Sequence, residues 1–234
     1  MNGLSDRAKQ LIPKARIVSF DTWSDVSPEI VARFQFADDN RCYLTDTDLE
    51  KIESDDLPAD AALSAVGLSG CEVARVLRDQ SADIVDEARA VVLATFPHIL
   101  EPGGGLYPPM RAEACWRDFW QFLRCITYGI AGEQHHYTST AGLEAMEQLY
   151  AELQVPLPAM VTGLIGVKRA SLKRFPVESY PALSPYFDHL IARLSTFIKP
   201  ASQSEIKTEL VTQSGPVIAK PVVAKPAIAK PAKA

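Results

Sequence analysis

The sequence predicts an all-α body with globin-like, helix-on-helix packing, an N-terminal helical extension and a disordered C-terminal tail. Three observations carry that expectation. No stretch alternates apolar and polar residues long enough to make a strand, whereas apolar residues recur at helical spacing through eight segments. Several of those segments open on proline or on a side chain able to cap a helix. The stretch after Pro108-Pro109 then runs without glycine or proline until Gly129, behind a Gly103-Gly104-Gly105 turn. That pattern predicts one long helix with Pro in its first turn and Gly at its stop.

Residues 1–26 are mixed, with Pro13 and no clear period, and read as a loosely ordered arm. Ser27-Pro28-Glu29 opens the first helix of a domain spanning 27–198, with Ile30, Val31, Phe34 and Phe36 as its apolar residues and Asp38-Asp39-Asn40 as its stop. Thr45 and Asp48 form a capping-box variant over a short helix that places Leu49 and Ile52 beneath it. Residues 59–68 and 70–96 read as two more helices, the second with Val73, Val76, Leu77, Ile84, Val91 and Val92 on a broad apolar face. After the central helix come Thr140–Leu153, Pro158–Arg174 and a last helix from about Pro181 to Ile198. The segment 199–234 is different. Its Ala-Lys-Pro repeats exclude helix and sheet ladder and predict an extended, solvated tail.

Composition narrows the function classes. Hydrophobic content of 47% and charge of 23% in 234 residues are those of an ordinary soluble globular protein. Net charge is −5, and residues 199–234 hold six Lys against two Glu, so the body is more acidic than the whole. An acidic body argues against non-specific nucleic-acid binding. No signal peptide and no 18-residue apolar run is evident. Cys42, Cys71, Cys115 and Cys125 lack CxxC spacing, and a reducing cytoplasm is expected. His135-His136 reads as surface loop without a third metal ligand, so no metal site is expected. No nucleophile–base–orienter set emerges, and the chain does not read as an enzyme.

Arg111, Cys115 and Asp118 are spaced i, i+4, i+7, so they share one face of the central helix. A thiol between a cation and an acid is a candidate site; the alternative is a small buried core cysteine.

The residues PGGGLY (102–107) and CWRDFWQFLRCITYGIAG (115–132) resemble the central helix of the phycobiliprotein, or phycobilisome, family. ADDNRCYLTDTDLEKI (37–52) is similar to that family's N-terminal helix-turn segment, and SPYFDHLIARLS (184–195) to its last helix. The resemblance spans roughly Phe36 to Ser195 and is allophycocyanin- and phycocyanin-like. It implies a bilin, a phycocyanobilin-type linear tetrapyrrole, held by a thioether at Cys115. Asp118 would bind the pyrrole nitrogens, and Arg111 and Arg117 the propionates. A carboxylate can accept several ring N–H bonds, and a guanidinium pairs bidentately with a carboxylate. Neighbouring cations are expected to favour the Cys115 thiolate. Trp116, Trp120 and Tyr107 are candidate aromatic walls, although Trp116 and Trp120 read more readily as core or subunit contacts.

The resemblance also implies that Asp38 and Arg124 join partner subunits across an interface, with Tyr43 and Tyr128 nearby. Exposed Phe34, Phe36 and Tyr43 would then supply most of the association. Trp116 stands where light-harvesting members usually carry Leu, Cys42 where they carry Arg, and Trp120-Gln121-Phe122 replaces a tyrosine-rich stretch. With the arm and the tail, these departures point to a divergent accessory member. Two functions are therefore expected to compete: a bilin-bearing subunit passing excitation energy, or a pigment-free assembly, docking or regulatory relative. The implied partners are phycobiliprotein-like subunits, a second copy, or phycobilisome or photosystem components. The implied place is cytoplasmic, peripheral to the thylakoid, with the lysine tail able to touch an anionic surface.

Overall fold

Among the described residues, 4–55 and 60–198 of the computed structural model, ten α-helices and one short 3-10 helix follow one another. They are α1 (Asp6–Leu11), α2 (Pro28–Asp39), α3 (Asp46–Glu53), α4 (Ala61–Ala65), α5 (Gly70–Asp79), α6 (Ser81–Thr95), α7 (Pro109–Ala131), α8 (Thr140–Glu152), α9 (Leu157–Leu172) and α10 (Tyr180–Ser195), with the 3-10 turn at Val177–Ser179. The described residues contain no strand, only one isolated bridge between Val18 and Thr138. The all-α expectation holds. The chain divides after Ile198, and the tail read from 199 onward lies outside the described residues.

Local chemistry sets the helix starts. Ser27 accepts from Ile30 N ahead of Pro28, and Thr45 with Asp48 closes the anticipated capping box. A second capping box, Ser69 with Glu72, starts α5. The single helix read over 70–96 is two. Gln80 leaves the helical region at φ −105°, ψ 14°, and its side-chain oxygen accepts from Arg174 Nε at 3.1 Å. The bend lets α5 lie against α7 while α6 runs along α9.

The helix α7 is the axis of the body. Every residue from Phe122 to Ala131 is buried, whereas the first half buries only Ala112, Cys115 and Phe119, a single stripe. Gly129 does not stop it. The helix continues to Ala131, and the glycine serves packing instead, since the Tyr137 ring lies where a Cβ at Gly129 would sit. Tyr128, Tyr137 and Tyr186 are fully buried, and each hydroxyl has a partner: Tyr128 donates to Cys42 O, Tyr137 to Tyr186 O at 2.9 Å, and Tyr186 to Asp60 Oδ2 at 2.7 Å. Paired this way, such rings each contribute about 1.5–3 kcal/mol of burial without an orphaned polar atom.

The arm is not loose. Leu11, Ile17, Val18, Phe20, Trp23 and Val26 are buried, and Trp23 stacks edge-on with Phe20 and Phe34, both at 4.9 Å. Ser19 N donates to Tyr137 O at 3.0 Å and Ser139 N to Ile17 O at 2.7 Å, while α1 packs on α8. The apolar residues follow no helical or strand period because they enter the core from irregular backbone. Periodicity is silent about such segments.

Candidate functional site

The candidate site lies on the first half of α7, where one stripe is buried and the flanks are open. Cys115 sits in the buried stripe, 3% exposed, with Sγ 3.1 Å from Met160 Sδ of α9. Asp118, one turn on, is half-buried and accepts from the Tyr150 hydroxyl of α8 at 2.9 Å. Burial pushes the Asp118 carboxyl up to about 6, although the Tyr150 hydrogen bond and nearby Arg117 oppose it. Burial, with Asp118 adding to it, pushes the Cys115 thiol up to about 12. The expected thiolate-favouring field is therefore absent. The cations that were to supply it face elsewhere.

Arg111 is committed to backbone. Its Nε donates to Gly105 O at 3.1 Å, Nη1 to Leu153 O at 3.0 Å and Nη2 to Gln154 O at 2.6 Å. Leu153 caps the C-terminus of α8, which has no basic residue in its last turn. Orphan carbonyls at a helix end attract a cation, and α7 supplies it. Arg117 is exposed. Of the four residues expected at the site, Cys115 and Asp118 converge, Arg111 reaches the turn beside them, and Arg117 points to water. Tyr150, Met160 and the 153–156 turn were not legible as site residues, since nothing local ties them to α7. Pro156 lies so close to Gly105 that a Cβ there would come to 2.9 Å of its own Cβ.

Trp116 and Trp120 pack against the core, the contact that their spacing favoured. Trp116 is half-buried, 5.7 Å from the Phe119 ring, and carries the Arg89 guanidinium 5.5 Å over its face. Trp120 packs edge-on with Tyr43 at 4.7 Å, and Tyr43 donates to Trp120 O at 3.3 Å. Tyr107 is exposed.

The expected interface pair is an internal one. Arg124 Nη1 lies 3.0 Å from Asp38 Oδ1, and both side chains are buried. Arg16 of the arm meets the other Asp38 oxygen at 2.5 Å and Asp39 at 2.6 Å. Arg124 also donates to Tyr128 OH at 2.6 Å and Gln121 Oε1 at 2.8 Å. Two guanidiniums neutralise Asp38 within one chain, so neither Asp38 nor Arg124 is left seeking a partner subunit. Phe34, counted among the exposed contacts, is fully buried, and Tyr43 is half-buried. Phe36 is the exposed one, at 70%.

The chemistry of the donor set fits a bilin: a thiol to attach it, and a carboxyl and a tyrosine hydroxyl beside the thiol. Cavities of about 360 and 140 Å³ lie elsewhere, lined by residues around Ala65–Pro176 and Glu53–Cys71.

Comparison with known proteins agrees with the family resemblance. The family model described as phycobilisome protein matches residues 33–194. Allophycocyanin subunit alpha-B of Synechocystis sp. is 30% identical over 159 residues, covering 68% of this chain and 94% of that protein. The allophycocyanin alpha-B chain of Porphyra purpurea is 28% identical over the same length, with the same coverage of each. That of Synechococcus sp. is 34% identical over 124 residues, covering 53% of this chain and 76% of the relative. With the family model matched over most of its helical body, this chain belongs to the phycobilisome protein family.

Proposed function

We propose that the chain is a light-harvesting subunit of the phycobilisome that carries a phycocyanobilin-type bilin on Cys115. The observation that supports this best is the placement of Cys115 and Asp118 one turn apart on α7, with Tyr150 beside them. The similarity to allophycocyanin alpha-B chains supports it independently. A bilin bound there would supply visible absorption. Cys115 would hold it by a thioether, Asp118, once ionised, would accept its ring N–H bonds, and exposed Arg117 would meet a propionate. Protein purified from a bilin-producing host should stay coloured on a denaturing gel under zinc-enhanced fluorescence, and Cys115→Ala should abolish the band.

A second reading is a pigment-free assembly, docking or regulatory relative. The packing of Met160 on Cys115 and the commitment of Arg111 to backbone favour it. A colourless wild type, made where an authentic family member becomes pigmented, decides for this reading. Neither reading calls for an enzyme.

For partners, we propose a phycobiliprotein-like subunit or a second copy, docked on the outer face of α2 around Phe36, within a phycobilisome or against a photosystem component. No helix of the described residues is long and apolar enough to cross a membrane. We place the protein in the cytoplasm, peripheral to the thylakoid. Tail lysines each contribute about 1 kcal/mol near an anionic surface. Deleting residues 201–234 should reduce co-sedimentation with thylakoid membranes at low salt.

A further inference from the structure

Three side chains of α7 expected to hold a bilin each meet one stretch of chain, and that stretch is continuous. Asp118 takes the hydroxyl of Tyr150, Arg111 takes the carbonyls of Leu153 and Gln154, and Cys115 takes Met160. Gln154 holds a left-handed backbone, φ 52°, where an L side chain is strained. Pro156, two residues on, presses on Gly105. The segment 150–160 is thus fastened to α7 and its leading turn at each end and in the middle, with Met160 on the thiol.

The geometry points to residues 150–160 as a lid over Cys115, with Arg111 as its latch. The inference rests on the reading of Cys115 as the bilin thiol, but its contacts belong to the colourless protein. Two features make opening local. Met160 is unbranched and can rotate away without disturbing the α9 backbone. The Arg111 bonds are charge-assisted but made to carbonyls that water can also satisfy, so releasing them leaves no buried orphan. Arg111 then acts in sequence rather than as a fixed propionate ligand. It holds the turn while the site is empty, and its guanidinium is freed when the turn lifts. The lid also keeps the thiol from adventitious electrophiles before pigment arrives.

The test uses the full-length colourless protein and a small alkylating probe, iodoacetamide, with each cysteine followed by peptide mass mapping. Cys125, buried on the same helix but away from the lid, is the internal control. In Arg111→Ala, Cys115 should be alkylated at least about tenfold faster than in wild type, the factor expected for one lost charge-assisted hydrogen bond, while Cys125 is unchanged. Arg111→Lys should fall between, and Glu113→Ala, at an exposed position of α7, should match wild type. Equal acceleration of Cys115 and Cys125 means global loosening and overturns the latch; so does no acceleration of Cys115 in a folded Arg111→Ala. Making wild type and Arg111→Ala in a bilin-producing host separates the two readings. Faster alkylation of the colourless protein, with no coloured adduct from a host that pigments an authentic family member, sinks the bilin assignment and leaves the lid standing.

Discussion

The Tyr150 hydroxyl donates to Asp118 across 2.9 Å, tying the last turn of α8 to the exposed half of α7. The bond stabilises the ionised carboxylate, while burial works against it and wins, leaving the carboxyl at about 6. An acid raised above its unfolded value binds more protons folded than unfolded. Stability from this group is therefore greatest at low pH and falls as pH rises from the unfolded value near 4 through about 6. Asp118→Asn keeps an acceptor for Tyr150 and removes the charge. It should stabilise the colourless protein at pH 7 by about 1–3 kcal/mol, with the gain vanishing near pH 4, read by urea denaturation across pH.

His189 works in the opposite direction over the same window. It accepts or donates with Thr138 Oγ1 at 2.8 Å, and its ring lies 5.2 Å from that of His136. Burial, then His136, Arg193 and His135, pull its pKa down to about 4. A base held below its unfolded value of 6.5 loses stability as pH falls from 6.5 towards 4. His189→Gln should remove that loss and expose the opposing rise from Asp118. If the variant's stability tracks wild type at every pH from 7 to 4, His189 does not couple to folding.

Removing either arginine from Asp38 should have unequal consequences. Arg124 is buried against Asp38, whereas the Arg16 side chain is 42% exposed. Arg124→Ala should cost about 3–5 kcal/mol, because it also strips Tyr128 and Gln121 of a donor. Arg16→Ala should cost about 0–1 kcal/mol, since Asp38 keeps its buried partner. Similar losses for the two would show that the arm, not α7, anchors Asp38.

Trp23 lies outside every helix yet is 3% exposed between Phe20 and Phe34. Trp23→Ala should destabilise by about 3–5 kcal/mol, the range for a large core side chain. An unstructured arm would show almost no change.

Phe36→Ala, by contrast, should leave the unfolding midpoint within about 0.5 kcal/mol of wild type, as for other exposed positions. Sedimentation velocity should then show weaker self-association or weaker binding to a phycobiliprotein subunit. Unchanged association moves the docking face away from α2.

Much of the framework was legible because it is local. A Ser-Pro start, a Thr45–Asp48 box and a run from Met110 to Tyr128 without breakers act through contacts within one turn, which the order of residues alone specifies. The break at Gln80 was not legible: both halves of 70–96 keep helical spacing, and the bend answers to α7 and α9. The helix end at Gly129 was misplaced for the same reason, since a ring eight residues on, Tyr137, requires that glycine inside the helix.

The sequence by itself determined the all-α class, the start of the central helix and the register that puts Cys115 and Asp118 on one face, because 3.6 residues per turn leaves no choice. Only the tertiary structure decided what those groups touch. Arg111 has a long side chain and finds its acceptors 42 and 43 residues away, at the bare C-terminal end of α8. Asp38 and Arg124, 86 residues apart, meet inside one chain, and the arm enters the core without any period to announce it. Helix registers follow from bonds spanning four residues, whereas the partner of a buried charge or a thiol is chosen when separate helices pack and each desolvated group must find one.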